Sequence, residues 1–221
     1  MMDPKELKPY IAARVAKELK DGDVVNLGIG LPTLVPSFLL PDVQVILQSE
    51  NGIVGAGTAP RGDESDPAHI TDAAGQPSSV VPGGAFIDSS VSFGLIRGGH
   101  VDCTILGALE VDSEGSLSNW IIPGKKLPGM GGAMDLVVGA KKVIVAMEHT
   151  AKGKPKILTK CRLPFTAVNC VDMIVTEMGV FEVTGDGLLL TEYNPEYTVD
   201  DIRAATEADF ELAGRLKPIL I

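Results

Sequence analysis

The chain has 221 residues, of which 45% are hydrophobic and 22% are charged. These values are ordinary for a globular protein and predict a single domain over residues 1–221 with its own core. The 29 acidic residues outnumber the 19 basic ones, which gives a formal net charge of −10. No basic run is long enough to follow a phosphate backbone, so nucleic-acid binding is excluded as an expected function.

The cysteines and the amino-terminal segment indicate the compartment. Cys103, Cys161 and Cys170 have no CxxC spacing. This argues against a disulfide framework or a zinc site, so we expect no bound metal and a reducing environment. The amino terminus lacks the apolar region of a signal peptide, and no apolar run approaches membrane-spanning length. We therefore expect a cytoplasmic protein that does not bind a membrane.

The start of the chain predicts a βαβ unit. Asp3 caps a helix whose apolar residues recur every four positions and whose pattern ends at residues 21–22. Apolar, β-branched runs predict strands at residues 24–27 and 43–47, with a short helix at 32–40 between them. A strand, a helix and a strand in this order pair in parallel through a right-handed crossover.

Helices, buried strands and hairpins alternate in the rest of the chain. Residues 58–80 are polar and rich in turn formers, so we expect a surface excursion there. Asp88 caps a helix that ends at residues 98–99, and Thr198 begins a last helix. Further strands are predicted at residues 101–106 and 142–147, and hairpins at 108–111 with 117–122 and at 174–183 with 188–193. The predicted fold is α/β, a mostly parallel sheet flanked by helices with additional β-hairpins.

One carboxylate, Glu50, stands out because it follows a predicted buried strand and precedes a glycine turn at Gly52. Ligands of parallel α/β sheets bind beyond the carboxyl ends of the strands, which is where Glu50 is expected to lie. A carboxylate there serves as a general base or as a nucleophile that becomes acylated. The alternative is a loop glutamate satisfied by neighbouring amides.

Five sequence blocks decide between these interpretations, and they belong to a likeness that runs from near the amino terminus to Glu207. They are LQSENGIVG at 47–55, DVVNLGIGLPT at 23–33, IRGGHVD at 96–102, NWIIPGK at 119–125 and GMGGAMDL at 129–136. These blocks resemble those of the family I coenzyme A transferases, and specifically of the B subunit of the 3-oxoacid transferases. The resemblance extends over nearly the whole chain and implies a fold of the CoA-transferase and phosphosugar-isomerase type.

The resemblance implies a reaction and a set of site residues. Glu50 becomes the nucleophile that carries CoA as a glutamyl thioester, in ping-pong kinetics without ATP, metal or a permanently bound cofactor, so that CoA is a substrate. Gly131 becomes an oxyanion or thioester contact, since the backbone amides of its glycine turn can face an oxyanion. The residues implied to line the CoA or substrate site are Asn26, Gly28, Gly30, Asn51, Asn119, Gly129 and Gly132. The alternative for each glycine and asparagine is a tight turn or strand-to-helix packing.

The resemblance covers only the B half of the family, so it implies a partner. We expect a separate A subunit that completes the pocket, in a heterotetramer with two copies of each chain. Residues 86–93 and 154–158 favour acetate/butyrate–acetoacetate transfer over the succinyl type. Two alternatives remain: a phosphosugar-binding effector or isomerase-like module, since glycine turns also hold phosphates, and a catalytically idle partner subunit.

Three further polar residues receive structural interpretations. His69, in the acidic excursion, and His149, beside Glu148, are expected to face solvent. Asp135 lies at a predicted helix start, where a structural acceptor is expected in preference to a second catalytic acid.

Overall fold

The computed structural model describes residues 3–58, 70–124 and 129–221. The described helices are α1 (Pro4–Ala16), α2 (Ser89–Arg97), α3 (Ala133–Gly139) and α4 (Val199–Ala205), with a 3₁₀ helix at Leu31–Phe38. The described strands are β1 (Val24–Leu27), β2 (Ile46–Ser49), β3 (Ile53–Gly57), β4 (Ser79–Phe86), β5 (Cys103–Leu106), β6 (Glu110–Asp112), β7 (Leu117–Ser118), β8 (Val143–Ala146), β9 (Thr150–Ala151), β10 (Lys154–Pro155), β11 (Ile157–Leu158), β12 (Met173–Val175), β13 (Gly179–Thr184), β14 (Gly187–Tyr193) and β15 (Phe210–Pro218).

The described strands form one large mixed sheet in the order β15-β14-β13-β12-β8-β5-β1-β2-β3-β4, with two small sheets beside it. Its centre, from β12 to β2, is parallel throughout. Antiparallel pairs extend it on both sides, β2–β3–β4 on one and β12–β13–β14 on the other, and β15 adds a parallel edge to β14. This confirms the predicted α/β class, with a mostly parallel centre and hairpins around it.

Helices cover both faces of the parallel centre. The buried stripe of α1, including Ile11 and Val15, packs on Val25 and Ile105 of the strands. On the opposite face α2 and α3 contribute Ile96 and Leu136 to a second apolar cluster. Because the strands are buried on both faces, they are aliphatic runs without alternation, which is typical of parallel sheets. No helix in the described ranges is both long and apolar enough to cross a membrane.

Side-chain caps set the helix starts where the sequence predicts them. Asp3 accepts a hydrogen bond from the Lys5 amide at 2.9 Å, and Asp88 accepts one from the Ser90 amide at 2.8 Å. At the start of α4, Thr198 and Asp201 form a reciprocal capping box. Each bond satisfies a backbone N–H that has no partner within the helix. The predicted first helix is too long, since α1 ends at Ala16 and a turn follows it.

Several strands differ from their predicted bounds. The strand predicted at residues 43–47 begins at Ile46 and continues through the polar residues Gln48 and Ser49. Strands β3, β4, β9, β10, β11 and β15 were not predicted, and the segment predicted at residues 174–183 is two strands, β12 and β13, joined by a turn. Of the predicted surface excursion, residues 59–69, which include His69, lie outside the described part of the chain. In the last part of the predicted excursion, Thr71 and Pro77 form an isolated antiparallel β-bridge.

The prediction that His149 faces solvent is wrong, because the residue is completely buried. Its two ring nitrogens lie 2.9 Å from the hydroxyls of Thr176 and Thr206. Its backbone N–H donates to the Glu177 carboxylate at 2.8 Å. Burial, helped by the positive charge of Lys156, lowers the pKa of His149 to about 4, so the imidazole is neutral near pH 7 and each ring nitrogen has a hydroxyl partner.

We expect this histidine to make stability depend on pH. Its folded pKa of about 4 lies below the usual 6.5, so the unfolded chain binds the proton first as the pH falls. The contribution of neutral His149 to the free energy of unfolding is complete above the unfolded pKa. It falls by about 2 kcal/mol on reaching about pH 5. The measurement is the free energy of unfolding of wild type and His149→Gln at both ends of this window. The wild type should lose about 2 kcal/mol more than the variant, and parallel pH curves would contradict the assignment.

Candidate active site

Glu50 lies immediately after β2, in a turn that leads into β3. The turn is closed by a bond from the Gly52 amide to the Ser49 carbonyl at 3.0 Å. Gly52 has φ +123°, and a Cβ on it would lie 2.2 Å from the Ile87 carbonyl oxygen. Only glycine therefore fits. The turn puts Glu50 at the carboxyl end of a parallel strand, where the sequence predicts it, and leaves the side chain half-buried.

Glu50 lines a cavity of about 450 Å³ at the carboxyl ends of β1, β2 and β5. The other described residues that line it are Asn26, Leu27, Gly28, Ile29, Thr33, Ser49, Asp72, Ala73, Ala74, Leu106, Gly107, Ala108, Leu109, Asn119, Trp120, Gly129, Met130, Gly131, Gly132, Ala133 and Leu136. Of the residues predicted to form the site, all except Gly30 and Asn51 are in this wall. The structure thus brings together segments that are distant in sequence.

Gly30 and Asn51 are exposed and take part in local bonds. Gly30, with φ +86°, precedes the 3₁₀ helix, and its carbonyl accepts from the Thr33 hydroxyl at 2.7 Å. The Asn51 amide donates to the Thr71 carbonyl at 2.7 Å. Both residues fix loops beside the cavity.

A buried polar chain lies under the Glu50 carboxylate. The Asn26 side-chain amide donates to Oε2 of Glu50 at 3.2 Å and to Oε1 of Gln48 at 2.8 Å. The Gln48 amide in turn donates to the Ser92 hydroxyl on α2 at 2.8 Å. Asn26, Gln48 and Ser92 are almost completely buried, and of the four residues Glu50 and Asn26 line the cavity, whereas Gln48 and Ser92 lie behind them.

The predicted glycine turn packs directly against Glu50. A Cβ on Gly132 would lie 3.0 Å from Cγ and 3.3 Å from Oε1 of Glu50. Gly129 and Gly131 have φ of +87° and +54°, a backbone region in which glycine is unstrained. Gly132 then caps α3, whose Asp135 accepts from the Arg97 guanidinium at 2.7 Å. The structural interpretation of Asp135 is thereby confirmed.

Asn119 and Gly28 form the opposite part of the wall. The Asn119 side chain accepts from the Thr166 hydroxyl at 2.7 Å and donates to the Gly107 carbonyl at 3.3 Å, which fixes its orientation. Gly28 lies so close to β5 that a Cβ on it would be 3.0 Å from the Leu106 side chain. Both residues therefore have a packing role in addition to lining the cavity.

The sequence does not reveal the loop 72–74, which also borders the cavity. The Ala73 amide donates to the Ser49 hydroxyl at 2.9 Å, and Asn51 bonds the preceding Thr71, so the residues on both sides of Glu50 hold this loop. Its segment is polar and turn-rich, which predicted only a surface excursion. In the described ranges, no group of three or more His, Cys, Asp or Glu side chains is arranged to hold a metal ion.

Comparison with known proteins gives the family of this fold and site. The family model described as coenzyme A transferase matches residues 8–205. The acetate CoA-transferase subunit beta of Haemophilus influenzae is 52% identical over 221 residues, covering 100% of this chain and 97% of that one. The mitochondrial succinyl-CoA:3-ketoacid coenzyme A transferase 2A of Rattus norvegicus is 49% identical over 220 residues, or 98% of this chain and 42% of that one. The crystal structure of an acyl-CoA transferase apoenzyme from Escherichia coli O157:H7 superposes with a TM-score of 0.78, at 23% identity, over 100% of this chain and 44% of that one.

This chain belongs to the coenzyme A transferase family. The family confirms the predicted class of enzyme, a CoA-transferase, and the predicted fold. The family match also favours a CoA-transferase over a phosphosugar-binding or isomerase-like module.

Proposed function

We propose that this chain is the beta subunit of a 3-oxoacid CoA-transferase, which moves CoA between a short-chain acyl-CoA and acetoacetate through a thioester on Glu50. The observation that carries the proposal is the Glu50 carboxylate in the cavity wall, held by Asn26 and packed against Gly132. A carboxylate is a weak nucleophile toward a thioester, so such a site must act through orientation and charge stabilisation.

The reaction proceeds in balanced steps. The Glu50 carboxylate attacks the thioester carbonyl, and collapse of the tetrahedral adduct gives a mixed anhydride and CoA thiolate. The thiolate attacks the glutamyl carbonyl, releases the donor acid as its carboxylate and leaves Glu50 as a CoA thioester. An incoming carboxylate repeats these steps in reverse. The donor thioester, the glutamyl thioester and the product thioester have similar energies, so the reaction requires neither ATP nor a bound metal, and CoA acts as a substrate.

The cavity wall supplies the contacts that these steps need. The Asn26 amide holds the carboxylate, and we assign the backbone amide of Gly131 to the oxyanion of the tetrahedral adducts. Gly28, Asn119, Gly129 and Gly132 shape the wall for CoA and the acyl group, and Gly30 and Asn51 fix its loops. The wall also includes the aliphatic residues Leu27, Leu106, Leu109 and Met130. Such a lining suits a short uncharged acyl chain and favours acetate or butyrate over succinate.

We also propose a partner of the A type, in a heterotetramer with two copies of each chain. The Haemophilus influenzae relative is named subunit beta, and the rat relative is more than twice as long as the part that this chain matches. Ile29 in the cavity wall and Val138 on α3 are 76% and 78% exposed. Apolar surface next to a site is typical of a face that a second subunit covers. The free cysteines Cys103, Cys161 and Cys170 suit a reducing compartment such as the cytoplasm.

Mass spectrometry of the trapped intermediate tests the function. The purified chain, alone and with an A-type subunit, is incubated with acetoacetyl-CoA and then digested. We expect a CoA adduct, with loss of one water, on the peptide that contains Glu50. Borohydride should reduce the thioester at Glu50 irreversibly. The yield of the Glu50 adduct should be high only when the A-type subunit is present. Free CoA without an acyl group is the control, and an adduct on any other residue would contradict the mechanism.

A further inference from the structure

The polar chain from Glu50 to Ser92 is unusual because it runs through the interior. Ser92 is 0%, Asn26 1% and Gln48 3% exposed, beneath the apolar cluster of α2 and α3. Burying amides and hydroxyls costs free energy that their mutual hydrogen bonds only offset. Aliphatic side chains would fill this space at no such cost. Stability therefore does not explain why these hydrogen-bonded polar side chains are buried here.

The acceptor oxygens of Glu50 and Gln48 fix the direction of the bonds in this polar network. A carboxylate only accepts, so Asn26 must turn its N–H toward Glu50. The same nitrogen donates to Oε1 and to the backbone carbonyl of Gln48. With its oxygen so occupied, Gln48 must turn its own N–H to the Ser92 hydroxyl, which accepts. Reversing the Asn26 amide would place its oxygen against those of Glu50 and Gln48, and reversing the Gln48 amide would place two N–H groups against each other.

Asn26 keeps this orientation at a cost. Its Oδ1 is buried and has no hydrogen-bond partner among the described residues. The same holds for the hydroxyl of Thr104, which occupies the paired position on the neighbouring strand β5. An unsatisfied buried acceptor costs free energy, so the bonds made by the Asn26 nitrogen must hold the amide in this orientation. Gln48 opposes a reversal of this amide with two oxygens that face the Asn26 nitrogen, and Glu50 opposes it with one.

We propose that Gln48, anchored by Ser92, is a positioning residue for Glu50 that acts through Asn26. It keeps the Asn26 N–H on Oε2 of Glu50 and so leaves Oε1, beside Gly132, as the oxygen that attacks the thioester. This inference rests on the proposed nucleophilic role of Glu50. Gln48 touches neither substrate nor the reacting atoms, and its effect is on the orientation of the carboxylate.

Three variants test the proposal by steady-state exchange kinetics in the assembled enzyme. Gln48→Met fills the same space without a side-chain acceptor, and we expect kcat to fall roughly ten- to a hundred-fold while KM for acyl-CoA stays within about two-fold. Ser92→Ala removes the anchor and should lower kcat by about three- to ten-fold. Gln48→Glu keeps an acceptor toward Asn26 but adds a negative charge near Glu50. It should retain more activity than Gln48→Met, with the acid limb of the pH–rate profile moved up by about one pH unit.

Ser116→Ala is the matched control, since it also removes a buried serine hydroxyl, one that contacts Asn169 away from the cavity. It should keep the wild-type kcat and pH profile. An unshifted acid limb in Gln48→Glu, or wild-type kcat in Gln48→Met, would overturn the positioning role. The adduct on wild-type Glu50 is a separate readout. If it forms while the Gln48 variants behave as wild type, only this inference fails; if it does not form, the proposed function fails.

Discussion

Glu50→Gln is expected to reduce CoA exchange below about a hundredth of the wild-type rate. The amide has nearly the size and shape of the carboxylate, so the turn and the packing against Gly132 should persist. It lacks the negative charge and cannot form an anhydride, which removes the nucleophile itself. The measurement is exchange between acyl-CoA and acetoacetate in the presence of an A-type subunit, together with the circular dichroism and melting temperature of the variant.

Glu182→Gln serves as the control for the loss of one negative charge, because Glu182 is exposed on β13 and remote from the cavity wall. It should exchange CoA at the wild-type rate. Intact mass must show that the introduced glutamine has not deamidated, since a small fraction of restored glutamate would imitate residual activity. Exchange above about a hundredth of wild type in verified Glu50→Gln would assign catalysis to another group.

The parallel centre of the sheet could be predicted because its strands have a clear local pattern. Strands β1, β5 and β8 are short, largely buried and rich in Val, Ile and Leu, so their β-branched and apolar character marks them in spite of Asn26 and Thr104. Strands β4 and β15 lie at the sheet edges, where most of their residues are half-buried or exposed. An exposed edge strand looks like a loop in sequence, because what makes it a strand is a partner far along the chain. Strand β2 was misplaced for a related reason, since its end consists of the polar Gln48 and Ser49.

The position of Glu50 could be predicted from the strand, the glycine turn and the family motif. The residues that surround Glu50 could be predicted only in part. The Gln48–Ser92 bond joins residues 44 positions apart, and the Ser49–Ala73 bond spans 24. Nothing local marks either pair. His149 shows the same limit, since a histidine beside Glu148 is expected at the surface. Its burial depends on two threonine hydroxyls, at the end of α4 and in the β12–β13 turn, 57 and 27 positions away.

The turn that carries Glu50 should be the least tolerant of a single added methyl group. In Gly52→Ala the new Cβ would lie 2.2 Å from the Ile87 carbonyl oxygen, a backbone atom whose residue also donates its N–H to the Gly52 carbonyl at 2.9 Å. A shift that separates the two strand ends to relieve the clash would stretch that bond. The φ of +123° adds strain for any residue with a Cβ. We expect the free energy of unfolding to fall by about 3–5 kcal/mol and CoA exchange to fall by at least about a hundred-fold in the molecules that remain folded.

Gly22→Ala separates strain from collision, because Gly22 has φ +84° and no atom lies within 4 Å of the position that an added methyl group would take. It should cost about 1 kcal/mol by strain alone and leave exchange intact. Chemical denaturation of both variants, with exchange rates normalised to the folded fraction, distinguishes the two effects. An equal loss in the free energy of unfolding in Gly52→Ala and Gly22→Ala would mean that the Ile87 carbonyl moves aside at little cost. The turn would then be held by its glycine conformation alone, and the contact with Ile87 would contribute nothing to the position of Glu50.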